Sequence, residues 1–598
     1  MSHLHDYIIN SAREYLNYLE EYNLGIEKIK IFKATLCFKT TTNTPIISSE
    51  STEQCNTIVL VLEQSLFATD YLQLYIGNAA IDLDSIEKKN YNELTRTLSI
   101  TFEENTLQKK IRNIESKANI SISSNNILQY LNLFVDLKFL VKNILSFCQQ
   151  KLHLALPSAK PIALKISLDS MVSNEQKEAI KGIFSHPISY IWGISGSGKT
   201  QIVLFSCLLN IISQQKRALI LAPTNTALEQ IFISLIKKCD AKGILRSRFL
   251  RLGMPSNDFL QHYPEVCLQS DDEESDKKNL KQKDTMLFAT QNLKERLQDC
   301  YVVGLTLDSF VKRYQILSML DFVHIFLDEC AFSPLIKIIP PLHLNIPLTL
   351  LGDHKQLMPI CLMNEAIIKS QKHSVCLWSL STLFLESMLQ NHIDLHHTNN
   401  HDSIQFQKIA HYKLTTTHRY GNNLAQILDK YIYHNGLQGR GATTEVYYID
   451  SKSYGEKHQY GVSQHNESIA EANAIVNIIR DFRDYGVLTP FRDQQKLLIA
   501  KGIPRNHVFT IHKSQGKEFD TIIFSPVKFS KYMTDSYNQS ALFTLNVAIS
   551  RLKRELILVC DYDFWIRRSG QLICSLLQIA KPYNQRTSQI HKAENLPF

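Results

Sequence analysis

Eight consecutive residues, Gly193-Ile-Ser-Gly-Ser-Gly198-Lys199-Thr200, restrict the fold of this chain more than any other segment. They fit the pattern G-x-x-x-x-G-K-[ST] at every fixed position. A strand-like run, Ile188-Ser-Tyr-Ile-Trp192, precedes them, and a helix-like run, Gln201 to Ile212, follows. Strand, tight loop and helix in that order are what such a loop requires. The glycines let the backbone turn so that its N–H groups face an anion, and the helix presents its positive end to the same anion. Gly193, Ser195, Gly196, Ser197 and Gly198 form the cradle. Lys199 is placed to reach the β- and γ-phosphates of a nucleotide and Thr200 to hold Mg2+, so ATP with Mg2+ is the ligand pair the loop points to.

The surrounding texture agrees with a parallel α/β protein. Short apolar runs alternate with helical stretches at Ser189–Trp192, Ala218–Ala222, Tyr301–Leu305, Phe322–Leu327, Leu348–Leu351, Gly486–Thr489, Thr521–Phe524 and Leu556–Val559. Runs of four to six apolar residues are typical of strands buried on both faces. A highly charged stretch at about 240–298, with the acidic run Asp271, Asp272, Glu273, Glu274 and Asp276, reads as a surface insertion. A polar, His-rich stretch, Asn391 to Asp402, reads as a solvated connection to a second α/β unit, not as a metal site.

The first 165 residues read differently. Residues 8–29 are expected as an amphipathic helix, followed by β-like runs at Ile31–Phe38, Thr57–Leu62, Tyr71–Ile76 and Thr97–Phe102. Residues 125–152 are expected as one long helix, on the spacing of Ile127, Leu131, Phe134, Val141, Leu145 and Cys148. Pro157 and Pro161 mark a boundary. The predicted organisation is an accessory module at 1–165, a first domain with the loop at 166–395, and a second domain at 396–598.

Composition narrows the class of protein. Of 598 residues, 44% are hydrophobic and 20% charged, which excludes wholesale disorder and fibrous repeats. A formal charge of +8 permits a polyanionic partner without demanding one. The 12 cysteines are scattered without a C-x-x-C pair, the usage of a reducing, cytoplasmic compartment. Met1 to Asn10 lacks an apolar leader pattern, and the most apolar long stretch, Ile127 to Phe147, is interrupted by Asp136, Lys138 and Lys142, so no membrane span is expected.

A phosphate loop needs a carboxylate from a neighbouring strand. Asp328-Glu329 follows the strand-like Phe322–Leu327, which gives Asp328 to Mg2+ and Glu329 to the attacking water. The next such run ends in Leu350-Leu-Gly352-Asp353-His354-Lys355-Gln356-Leu357, which resembles motif III of superfamily 1 helicases. The rest of that series is present in order. Ser173-Asn-Glu-Gln176 resembles the Q motif, Leu221-Ala-Pro223-Thr224-Asn225-Thr-Ala227 motif Ia, and Val303-Gly-Leu-Thr306 motif Ic. Thr416-Thr-His418-Arg419-Tyr420 resembles motif IV, and Leu488-Thr489-Pro490-Phe491 the Thr-Pro-aromatic strand of the second helicase domain. Thr510-Ile-His512-Lys-Ser514-Gln-Gly-Lys-Glu518-Phe-Asp520 resembles motif V, and Asn546-Val-Ala-Ile-Ser-Arg551-Leu-Lys553 motif VI.

The ordered set spans about residues 172–561 and is similar to the superfamily 1B group that includes the nonsense-mediated-decay helicase. The resemblance implies two RecA-like P-loop domains in tandem, an N-terminal stalk and small β module, and a helical insertion in the first domain. It implies roles for Gln176 at adenine, Gln356 as γ-phosphate sensor, Glu518 at the ribose, and Arg419 and Arg551 as arginines acting from the second domain. It further implies that Pro223, Thr224, Asn225, Thr306, Thr489, Pro490, His512 and Ser514 contact a single strand of DNA or RNA without reading sequence, with 5′-to-3′ movement. Three positions depart from the group. His418 stands where Tyr is usual, Cys330 follows the Asp-Glu pair, and His512-Lys-Ser-Gln-Gly leans toward RecD-like and Pif-like members that work on DNA. The alternatives are a strand-stimulated remodelling ATPase that does not unwind duplexes and a nonenzymatic scaffold. Retention of Lys199, Asp328, Glu329, Arg419 and Arg551 counts against the scaffold. Protein partners, if any, are expected through the N-terminal module.

Overall fold

The computed structural model describes residues 2–38, 55–63, 66, 72–77, 79–81, 86–92, 95–102, 106–118, 121–123, 125–150, 154–170, 172–253, 255–267, 296–364, 367, 377–390, 404, 406–455, 465–514, 516–530, 533 and 539–585. The chain packs as two units. One comprises Met1–Leu154, Gly243–Leu320 and Cys361–Trp378; the other Ala155–Lys242, Asp321–Ile360 and Ser379–Phe598.

The first unit opens with a helix, Ser2–Glu21, and strand β1, Ile26–Ile29. The helix expected to continue to residue 29 stops at Glu21, because Asn23 and Gly25 take φ values of 51° and 78°. Next come β2 (Ile31–Phe38), β3 (Cys55–Leu62), β4 (Leu72–Ile76), β5 (Ala79–Ile81), β6 (Ile86–Asn92), β7 (Thr97–Phe102) and β8 (Leu131–Asp136). They form two four-stranded sheets, β1-β8-β4-β5 and β2-β3-β7-β6, antiparallel wherever a pair is defined.

Strand β8 corrects the long helix expected at 125–152. Leu131, Leu133 and Val135 are buried while Asn132, Phe134 and Asp136 are half-buried, a period of two. Burying each such side chain is worth roughly 1.5–3 kcal/mol, so three on one face outweigh the helical spacing that also threads the segment. The helix there is confined to Lys138–Cys148. The described part of the 240–298 insertion holds a short strand, Phe249–Arg251, parallel to Val302–Thr306, and a helix, Asn257–His262. Its acidic run lies outside the described residues, as does the His-rich 391–402 stretch.

The second unit is built on two wholly parallel sheets. The first takes β9 (Ile188–Gly193), β10 (Arg217–Ala222), β11 (Phe322–Leu327), β12 (Leu348–Gly352) and β13 (Ala410–Leu414), in the order β10-β11-β12-β9-β13. The second takes β14 (Glu445–Asp450), β15 (Tyr485–Thr489), β16 (Val508–Thr510), β17 (Phe519–Phe524), β18 (Leu552–Cys560) and β19 (Lys581–Pro582), in the order β16-β15-β17-β18-β14-β19. We call the two sheets with their helices the first and second lobes.

Strands β9 to β12 are buried along nearly their whole length, which explains their mostly apolar runs; the polar Ser189, His324 and Thr349 within them are buried and hydrogen-bonded through Thr349 Oγ1. β13 reads Ala-His-Tyr-Lys-Leu and is only half-buried, as an edge strand is, and it follows residue 396 yet pairs with β9. In the second lobe, Ala472, Ile475 and Leu498 from two helices pack over Val487, Ile523 and Ile557 of the sheet. Among the described residues, no helix is long and apolar enough to cross a membrane.

Candidate active site

The order β11-β12-β9 puts three loops side by side at the C-terminal ends of adjacent parallel strands, where open α/β sheets bind ligands. They are the phosphate loop after β9, Asp328-Glu329 after β11 and Asp353–Gln356 after β12. Gly196 has φ +80° and lies so close to the second-lobe approach that an added Cβ would sit 2.6 Å from both Arg419 Cβ and Thr417 Oγ1. Only glycine fits there.

Gln176, Lys199, Thr200, Asp328 and Gln356 of the first lobe have fixed side-chain partners, while Ser197 Oγ is buried without one among the described residues. Lys199 Nζ donates to the carbonyls of Gly193 and, at 3.2 Å, Ile194. Thr200 Oγ1 donates to Asp328 Oδ2 at 2.8 Å. Asp328 N donates to Leu221 O at 3.0 Å, which fixes the Asp328 backbone against β10. Glu329 N donates to Asp328 Oδ1 at 2.8 Å, and Glu329 holds φ +54°, a left-handed conformation uncommon outside glycine. Burial pushes both carboxyls above the ordinary carboxylate range. Lys199 and the Thr200 hydrogen bond oppose this at Asp328, and the neighbouring Asp328 charge adds to it at Glu329.

Gln176 closes a capping box at the start of the helix Asn174–Ile183: its Oε1 accepts from Ser173 N at 3.0 Å. Its Nε2 donates to Ser197 O at 3.0 Å, so the amide braces the phosphate loop. Gln356 Nε2 donates to Ser195 Oγ at 3.2 Å and to Asp353 Oδ2 at 2.9 Å. Ser195 and Ser197 are both buried.

The second lobe reaches the same place. Arg551 Nη2 donates to Gln356 Oε1 at 3.1 Å. The Arg551 guanidinium is 4% exposed, and burial pulls it down to about 10 despite the nearby Glu329 charge. Arg419 donates through Nη1 to Ser550 O at 2.9 Å and pairs through Nη2 with Glu518. Glu518, assigned to a ribose by resemblance, is thus the counter-ion of Arg419 in this structure. His418 is exposed, and its backbone N–H donates to Gly196 O at 3.0 Å.

The predicted strand-contact residues divide. Thr224 is exposed, with Pro223 and Asn225 half-buried beside it, and it caps the helix Asn225–Asp240 by accepting from Ala227 N at 3.2 Å. His512 is exposed and Pro490 half-buried. Thr489 and Ser514 are fully buried, and Ser514 Oγ donates to its own chain at Ile511 O, so neither side chain presents itself to a strand in this conformation. Thr306 belongs to the first unit, where it caps the helix Leu307–Leu317. Gly516, at φ +81°, brings the motif V segment against Gln230 of the helix that Thr224 caps.

Residue-by-residue reading of the sequence assigned no role to Trp192, Asp353, Thr417, Tyr433, Glu471 or Asn546. Asp353 Oδ1 accepts from Trp192 Nε1 at 3.0 Å, and Thr417 Oγ1 donates to Ser195 O at 2.8 Å. Asp353 and Asn546 stood inside matched motifs, and Tyr433 two residues into an aromatic run, which was the available signal. Glu471 is buried in the second lobe, where it accepts from Ser525 Oγ at 2.5 Å and Val527 N at 3.1 Å.

A phosphate loop, an Asp-Glu pair and facing arginines on paired parallel sheets define a P-loop nucleotide-binding protein with two RecA-like domains. Two family profiles, each described as an AAA domain, match residues 171–297 and 384–563. The chain is 24% identical over 430 residues to "DNA replication ATP-dependent helicase/nuclease JHS1" of Arabidopsis thaliana, covering 67% of this chain and 29% of the relative. It is also 24% identical over 449 residues to "Regulator of nonsense transcripts 1 homolog" of Neurospora crassa, covering 65% of this chain and 38% of the relative. The chain therefore spans well under half the length of these curated relatives. Similar solved structures include "The structure of PRRSV helicase", at 14% identity and TM-score 0.33 over 89% of this chain and 74% of that one. "Complex structure of Arterivirus nonstructural protein 10 (helicase) with DNA" matches at 14% identity and TM-score 0.32 over 66% of this chain and 64% of that one. The two profile matches and the two helicase-type relatives together support a superfamily 1 helicase of the nonsense-mediated-decay type.

Proposed function

We propose that this protein hydrolyses ATP between its two lobes and uses the cycle to move 5′-to-3′ along a single strand of nucleic acid, separating duplexes ahead of it. The observation that carries the reading is the meeting of Arg551, from the second lobe, with Gln356 at 3.1 Å, beside the Thr200–Asp328 pair. Groups of both signs from two lobes at one buried point suit the charge that builds on a transferring phosphoryl group.

Roles follow from position. Lys199 exchanges its two carbonyl partners for phosphate oxygens. Glu329, desolvated and beside Asp328, is the base for the attacking water. Arg551 and Arg419 act on the phosphoryl group from the second lobe, and Gln356 links Arg551 to Ser195 of the phosphate loop. Thr200 and Asp328 share a hydroxyl–carboxylate contact of the kind Mg2+ takes over, so they fit as its ligands; Mg2+ would supply charge neutralisation at the phosphates. His418 stacks on the base and Glu518 reaches the ribose, with Arg419 released from it when nucleotide enters.

The strand lies over the exposed Thr224 and His512 and the half-buried Pro223, Asn225 and Pro490, with Thr489 and Ser514 contributing through their backbones. Short neutral side chains suit contacts to phosphate and sugar that ignore sequence. One relative's name speaks of DNA replication and the other's of nonsense transcripts, so DNA and RNA are both tested. The decisive experiment measures steady-state ATP hydrolysis by the protein alone, with single-stranded DNA, and with single-stranded RNA, alongside strand displacement on tailed duplexes. Stimulation by a strand, lost in Lys199→Ala and Glu329→Gln, is the expected result. Hydrolysis without displacement would leave a remodelling ATPase. Strand binding without hydrolysis would leave a scaffold.

A further inference from the structure

Asp353 is the most heavily used carboxylate of the site, yet none of the nucleotide roles above falls to it. Its Oδ1 accepts from Trp192 Nε1 at 3.0 Å and Lys355 N at 3.1 Å. Its Oδ2 accepts from Gln356 Nε2 at 2.9 Å and from Tyr433 OH at 2.7 Å. Three of those donors belong to the first lobe; Tyr433 arrives on the segment Asp429–Tyr433, which leads toward the second sheet. The Tyr433 oxygen in turn accepts from Asn546 Nδ2 at 2.8 Å, and the same amide donates to Lys355 O at 2.8 Å. Asn546 lies on the helix Gln539–Ile549, five residues before Arg551. Asp353, Gln356, Tyr433 and Asn546 are at most 5% exposed.

The donor count closes, while Asn546 Oδ1 is buried without a partner among the described residues. A phenol has one proton, which goes to Asp353, and a lone pair, which receives Asn546; the amide has two N–H groups, and both are used. Burial, with Asp353 beside it, holds the Tyr433 hydroxyl protonated far above neutral pH. The second lobe thus grips the turn that carries Gln356 through contacts that involve no nucleotide atom.

We propose that Tyr433 and Asn546 are positioning residues: through Asp353 they couple the second lobe to Gln356 and hold the lobes closed around nucleotide after the γ-phosphate has gone. The inference rests on the reading that ATP binds between the lobes. It makes the clasp, and not the γ-phosphate alone, the element that sets how fast ADP leaves.

The test is the dissociation rate of a fluorescent ADP analogue, followed by stopped flow, in the wild type, Tyr433→Phe and Asn546→Ala. Tyr431→Phe is the control, because it removes a phenol hydroxyl bonded to Ser575 Oγ at 2.7 Å, away from the clasp. Tyr433→Phe keeps the ring and leaves Asp353 three donors, so folding is retained, as a thermal melt will check. ADP release should quicken about three- to tenfold in Tyr433→Phe and at least as much in Asn546→Ala. KM for ATP should rise by the same order with kcat unchanged or higher, and Tyr431→Phe should match the wild type. Release unchanged in both clasp variants, or a fall in kcat with KM unchanged, overturns the proposal. Failure of the wild type to bind the analogue would instead overturn the ATP reading beneath it.

Discussion

The residues proposed to act on ATP and those proposed to touch the strand are drawn from the same two lobes, yet they are built differently. On the nucleotide side, Thr200 is tied to Asp328, Arg551 to Gln356 and Arg419 to Glu518, and Asp328, Arg551 and Gln356 are buried. On the strand side, Thr224 and His512 are exposed, and the residues that are buried, Thr489 and Ser514, turn away. Burying a charge is costly unless its partners are fixed, so the nucleotide side can exist only as a rigid, mutually bonded set. A surface that must release its ligand at every step has the opposite need, and short neutral groups in open solvent meet it.

The largest effects should fall on the buried side. Glu329→Gln should lower strand-stimulated kcat by roughly a thousandfold, the upper part of the range for a general base. Arg551→Lys should cost about a hundredfold or more, because an ammonium cannot reproduce the guanidinium contact to Gln356 and the phosphoryl group together. Both are read from steady-state hydrolysis at saturating strand. Retention of a tenth of wild-type kcat in either variant would mean that the fixed contacts are architecture and not chemistry.

The same difference decided how much was legible in the sequence. The phosphate loop, the Asp-Glu pair and the strands beneath them could be read because parallel strands buried on both faces leave long apolar runs; Phe322–Leu327 matches β11 end to end. β13 was missed because an edge strand carries His, Tyr and Lys and leaves no such run. The helix expected at 125–152 failed because six alternating residues, Leu131–Asp136, also satisfy part of a helical stripe, and only their pairing with β1 and β4 decides the period. Tyr433 and Asn546 bond to residues 80 and 191 positions away, at Asp353 and Lys355, and no local pattern encodes such separations.

Glu471 sharpens the comparison from within the second lobe, since it is a buried acid with no cationic partner among its hydrogen bonds. Burial raises it to about 8, against an ordinary 4.5, with Ser525 and Val527 only partly offsetting the effect. A carboxyl whose folded value exceeds its unfolded one holds its proton in the native state after the unfolded chain has lost it. Stability should therefore be full below about pH 4.5 and fall as pH rises toward 8, by on the order of a few kcal/mol. Urea midpoints at pH 5 and pH 8 should converge in Glu471→Gln. A wild type with equal midpoints at both would place Glu471 with the ionised, partnered carboxylates and remove the contrast.

The smallest expected effect probes the open side, where stability and binding must be separated. Thr224 caps the helix Asn225–Asp240, so Thr224→Ala should cost about 1 kcal/mol of stability through the lost cap while changing strand affinity little. Thr224→Asp keeps an acceptor for Ala227 N and adds a charge that the helix N-terminus favours, so the fold should be as stable as the wild type. If phosphates pass over this exposed residue, that same charge should weaken single-strand binding about three- to tenfold at low salt, with the deficit shrinking as salt screens it. ATP hydrolysis without a strand should not change. Wild-type affinity of Thr224→Asp at low salt would take the strand off this helix end and leave only the buried half of the comparison standing.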